Sequence, residues 1–80
     1  MYLWKLARHP HITVDIDMTR TVVVAASTES QARAVAATVA GEEGRAAWDD
    51  QNVTACVHIG DAEPTAFPYP AVVCVDTLEG

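Results

Sequence analysis

Apolar residues take a helical period once in this chain, over residues 28–41, TESQARAVAATVAG, and alternate with polar ones at a period of two over residues 12–17 and 53–60. Ala32, Val35, Ala36 and Val39 recur there at i, i+3, i+4 and i+7, a single apolar stripe. Thr28 has an N-cap side chain, and Gln31 follows at the spacing of a capping box. Glu29 falls in the first turn, where the helix dipole favours a carboxylate. Gly41 is suited to the left-handed closing position, and Glu42 and Glu43 beyond it would be unfavourable inside the last turn, so the helix is expected to stop at Gly41. Arg33 and Thr38 lie off the stripe. The stripe consists of alanine and valine, which lets a helix lie close on a sheet but buries little area per residue.

The rest of the pattern predicts strands. In YLWKLAR, residues 2–8, Tyr2, Trp4 and Leu6 share the better core face. Residues 9–18 alternate as well, but Pro10 breaks regular pairing, so they are expected to be a loop with strand tendency. TRTVVVAA, residues 19–26, is rich in β-branched side chains, and its run Val22, Val23, Val24 suggests partial burial on both faces and a central position. Residues 45–52 connect the helix to the next strand, with Trp48 as a lid over one end of the core and Asp49, Asp50 and Asn52 as turn formers. In VTACVHIG, residues 53–60, Val53, Ala55, Val57 and Ile59 are expected to face the core, with Thr54, Cys56 and His58 on the other face. Residues 61–70 hold three of the four prolines and must form a loop, which carries Phe67 and Tyr69. AVVCV, residues 71–75, is the last strand. The prediction is an α+β fold of order ββαββ: a four-stranded, mostly antiparallel sheet in two hairpin-like pairs, with one helix across one face.

Eighty residues form one domain, 1–80. A chain of this size buries only about 60–65% of its unfolded surface, so modest stability and help from a homodimer or another partner are expected. The net charge of −6 is unevenly spread. Residues 1–41 hold four basic against three acidic residues, a net of +1, whereas residues 42–80 hold Arg45 against eight acidic residues, a net of −7. An acidic half of this kind disfavours direct contact with nucleic acid, which calls for phosphate-neutralising cations, and suits a basic protein surface. No apolar run is long enough to span a membrane, and Lys5 and Arg8 interrupt any signal-peptide pattern. A cytoplasmic location follows as the expectation, with Cys56 and Cys74 as free thiols.

Recognised chemical motifs are missing. His9, His11, Cys56, His58 and Cys74 include side chains that zinc accepts, but neither CxxC nor HExxH spacing occurs. Cys56 and His58 would be about 7 Å apart along a regular strand, too far for a nucleophile–base hydrogen bond. Asp15 with Asp17, and Asp49 with Asp50, lack calcium-loop spacing. No glycine-rich phosphate loop and no serine elbow is present. A non-enzymatic protein without a metal or cofactor is expected.

The stretches 2–8, 22–36, 48–62 and 71–75 together resemble a group of small uncharacterised bacteriophage and prophage proteins. In these a short strand like YLWKLAR leads to a strand and helix like VVVAASTESQARAVA, then a tryptophan segment, a strand ending in IGDA and a closing valine strand. The resemblance implies a viral accessory protein and carries no catalytic residues with it. Joined to the charge layout, it makes a protein that inhibits a host defence, anti-CRISPR-like, the leading expectation. Asp49, Asp50, Asp61, Glu63, Phe67 and Tyr69 are the candidate partner-binding residues. The alternative is a small oligomerising α+β module whose acidity serves solubility.

Overall fold

The computed structural model describes residues 1–9, 19–39, 45–63 and 68–77. Four strands, β1 (Tyr2–Arg8), β2 (Thr19–Ala26), β3 (Thr54–Asp61) and β4 (Ala71–Thr77), and two helices, α1 (Glu29–Ala37) and α2 (Ala46–Asp49), follow in the order β1, β2, α1, α2, β3, β4. All strand pairs are antiparallel, in the sheet order β3-β1-β2-β4. The fold is α+β, with the helices on one face of the sheet. The expected ββαββ layout is coarser than this in two respects. Residues 46–49, expected as plain connection, form a helical turn. The second expected hairpin does not exist: β3 and β4 occupy opposite edges, because β1 and β2 pair with each other and leave one free side each.

The capping box forms as the spacing predicts, with a small displacement. The Gln31 N–H donates to Thr28 Oγ1 at 3.1 Å, while Gln31 Oε1 accepts from the Ser27 N–H at 2.7 Å, one residue before the cap. At the other end α1 stops at Ala37, four residues short of Gly41. The Thr38 hydroxyl turns back to the Val35 carbonyl at 2.7 Å, and the Val39 N–H bonds the Ala36 carbonyl at 3.1 Å, tightening the last turn. Gly41, Glu42 and Glu43 lie outside the described residues, as does the 10–18 segment.

The core lies between α1, α2 and the sheet: Leu6, Val22, Val24, Ala26, Ala32, Ala36, Ala37 and Trp48, with Trp4, Val35, Val39, Cys56 and Val72 packed at its margin. The helix stripe and the Trp4–Leu6 face are therefore where the pattern puts them, and Trp48 closes one end as a fully buried lid. Val22–Val24 lie in β2, one of the two central strands.

The faces of β3 are reversed from the expectation. Cys56 pairs with Leu6 and His58 with Trp4, so Thr54, Cys56 and His58 share the helix-bearing face, while Val57 and Ile59 are 53% and 50% exposed. Alternation favours the Val57 and Ile59 face, but the register with β1, Cys56 opposite Leu6 and His58 opposite Trp4, overrides it and turns that face away from the helices. Thr54 can be fully buried because its hydroxyl donates to the Ala47 carbonyl at 2.8 Å and accepts from the Arg8 guanidinium.

Arg33, expected off the packed face, is buried as well. Its Nε donates to Glu29 at 3.0 Å, and one terminal nitrogen donates to the carbonyls of Trp48 and Thr54 at 3.1 and 3.0 Å. A guanidinium offers five donors in a rigid fork, which lets this one side chain tie α1 to both α2 and β3.

Candidate functional site

α1 is nine residues long, about 13 Å, and lies chiefly along β2. It does not reach across β1 and β3 at the end of the sheet where β1 begins. There the helix-bearing face opens into a recess of about 360 Å³ lined by Tyr2, Trp4, Ser27, Thr28 and His58. This is at the small end of the range for ligand pockets, suited to a single side chain or a small planar group.

Strand pairing builds one wall and the capped helix start builds the other. Tyr2 and Trp4 are two residues apart on β1 and share a face, and the Trp4–His58 pairing brings the imidazole beside them. Tyr2 meets Trp4 edge-on at 6.4 Å between ring centroids and meets His58 edge-on at 5.0 Å; Trp4 and His58 are 5.5 Å apart and tilted. The indole is fixed by its N–H, which donates to the Ala26 carbonyl at 3.0 Å. Opposite the rings, the capping box occupies the Ser27 and Gln31 N–H groups, which would otherwise be anion donors. Asp61 Oδ1 stands 3.7 Å from His58 Nε2, and the Asp61 side chain is 82% exposed.

The structure separates the expected partner-binding residues into two groups. Asp61 pairs with Tyr2, Glu63 follows it, and Tyr69 precedes the Ala71–Ala25 pair, so these three belong to the recess end. All three are exposed. Asp49 and Asp50 lie before β3 at the opposite end, where Asp50 shapes its own turn. The Asp50 carboxylate accepts from the Asn52 N–H at 2.8 Å, and the Asp50 carbonyl accepts from the N–H groups of Val53 and Thr54. Phe67 lies outside the described residues.

Cys56, His58 and Cys74 do not converge. Cys56 sits on one edge strand facing the helices, and Cys74, paired with Val23, sits on the other edge strand facing away from them. Three strand spacings separate them, about 14 Å. Burial pushes the Cys56 thiol up to about 11, with Glu29 raising it further and Arg33 opposing, so it stays protonated at neutral pH. His9 bonds the Gln51 carbonyl at 2.8 Å at the far end, and His11, Asp15 and Asp17 lie outside the described residues. Among the described residues no cluster of three histidine, cysteine or carboxylate side chains could hold a metal ion, and no helix is long and apolar enough to cross a membrane.

Reasoning from sequence missed the recess. It placed Tyr2 and Trp4 in the core and His58 on the opposite face. The one available signal was the Tyr-x-Trp spacing on β1, which puts two large rings on one face. No protein-family model, no curated protein and no solved structure matches the chain.

Proposed function

We propose that this is a small, acidic, non-enzymatic binding protein of the phage-accessory type, which occupies a basic surface on a host protein. A component of an anti-viral defence system, such as a CRISPR effector, is the concrete form of that partner. The observation that carries this reading is that Asp61 ends β3 and Glu63 follows it beside the aromatic recess, with exposed Tyr69 at the same end of the sheet on the β4 edge. Arg8 and Arg20 stand at the other end, Arg33 is buried and bonded, and Lys5 projects from the helix-free face. A partner's cations would therefore meet little repulsion at the recess end.

Tagged protein purified from a bacterial lysate carrying defence complexes, at low and at high salt, tests this reading. The expected result is a salt-sensitive complex with a basic protein that D61N/E63Q loses and D49N/D50N keeps. Absence of a basic partner, or equal loss in both variants, overturns it.

A second reading is favoured by a different observation. The helix-free face and the β3 and β4 edges leave Val57, Ile59 and Val73 between 42% and 53% exposed. Such surfaces suit self-association of a small domain. Sedimentation showing a monomer at all concentrations would remove that alternative.

A further inference from the structure

The two ends of the sheet handle aromatic rings differently, and the difference specifies a ligand for the recess. At the far end the Trp48 ring is covered by the chain's own cation: the Arg8 guanidinium lies 4.2 Å from the ring centroid. At the near end Tyr2, Trp4 and His58 line an open recess with the Asp61 carboxylate at its rim, and no lysine or arginine of the described residues lines it. Arg33 is consumed by Glu29 and two carbonyls, and Arg20 pairs with Asp76 at 2.9 Å. Lys5 pairs across the sheet with Val23 and Val57, placing it on the face opposite the recess.

The geometry points to an arginine side chain of the partner as the occupant of this recess, its guanidinium against the Tyr2, Trp4 and His58 rings and its charge toward Asp61. This rests on the basic-partner reading above and gives it a contact point. A guanidinium suits the site better than an ammonium, since it is planar, stacks on rings and is more weakly hydrated. An anion is disfavoured by the Asp61 carboxylate beside His58 and by Glu29 in the first turn of α1.

Acetyl-arginine amide, with the neutral isostere acetyl-citrulline amide as control, tests the inference by ¹H–¹⁵N correlation spectroscopy of the full chain. The Trp4 indole N–H is the reporter and the buried Trp48 indole the internal reference. The expected result is a saturable shift of the Trp4 signal with the arginine probe, little with citrulline, and an unmoved Trp48 signal. Y2A and D61N, at exposed positions, should each weaken binding about two- to fivefold while their spectra report an intact fold. No saturable Trp4 shift, or equal shifts with both probes, overturns the assignment. If the probe fails while the lysate complex is still lost in D61N/E63Q, the recess assignment falls and the basic-partner reading stands. If the probe binds and no basic partner is captured, the recess assignment stands without that reading.

Discussion

The far end of the sheet, around Trp48, and the near end, around Trp4, each centre on a tryptophan and are left in opposite states. At the far end a tryptophan, two arginines, a threonine and an aspartate are engaged by the chain's own groups. Arg8 covers Trp48, Arg33 bonds the carbonyls of Trp48 and Thr54, Thr54 bonds Ala47, and Asp50 closes the turn ahead of β3. At the near end a tryptophan, a tyrosine, a histidine and a carboxylate meet at an opening, with the Trp4 indole N–H alone anchored to backbone. A buried polar group is costly unless bonded, so the far end is closed off as a latch. An exposed ring and carboxylate carry no such cost, so the near end can be kept for a partner.

The contrast is broken most sharply by W48A. Removing a fully buried indole from a core otherwise made of small aliphatics should cost about 3–5 kcal/mol, enough to unfold a marginal domain, and denaturant melts read it directly. R33M comes next. It keeps much of the side-chain volume but leaves the Trp48 and Thr54 carbonyls without this donor, for an expected loss of about 2–3 kcal/mol in the same melts. T28A removes the cap that holds the start of α1 beside the recess and should cost about 1 kcal/mol.

Alkaline titration sharpens the comparison through Cys56. Its thiol is raised from 9.0 to about 11 in the fold, chiefly by burial, so the folded state holds that proton more tightly than the unfolded chain does. The contribution is complete below about pH 9 and is lost as pH rises toward 11. C56A should flatten that part of the stability–pH profile relative to the parent chain. In a thiol-labelling assay at neutral pH, exposed Cys74 should react well before half-buried Cys56.

The smallest stability effects belong to the near end. Y2A and H58A should shift the denaturation midpoint by no more than about 0.5–1 kcal/mol, because both side chains are substantially exposed. A larger loss would show that the near end is part of the latch and would erase the contrast.

Local features of this fold were legible in the chain. Thr28 and Gln31 announced the start of α1, and the spacing of Ala32 and Ala36 gave its buried face. Tyr2, Trp4 and Leu6 gave the correct face of β1, and the valine run gave a central strand. The recess was not legible, because it depends on which residue of β3 sits opposite Trp4. A slip of one residue would have put Val57 there and sent His58 to the other side. Arg33 was misplaced for a related reason: a charged side chain reads as solvent-facing until the carbonyls that receive it are known.

By itself, then, the sequence determined the helix cap, the alternating strands, the acidity of the second half and the lack of recognised catalytic spacing. Each of these is encoded in the chain itself, as a spacing of a few residues or as a composition. Tertiary structure alone decided the β3-β1-β2-β4 order, the inverted face of β3, the burial of Arg33 and the meeting of Tyr2, Trp4 and His58. The β3 face and the recess depend on pairing between residues 46 or more positions apart in the chain. The free energy of such pairing lies in register and in the partners each polar group finds, neither of which belongs to any one segment.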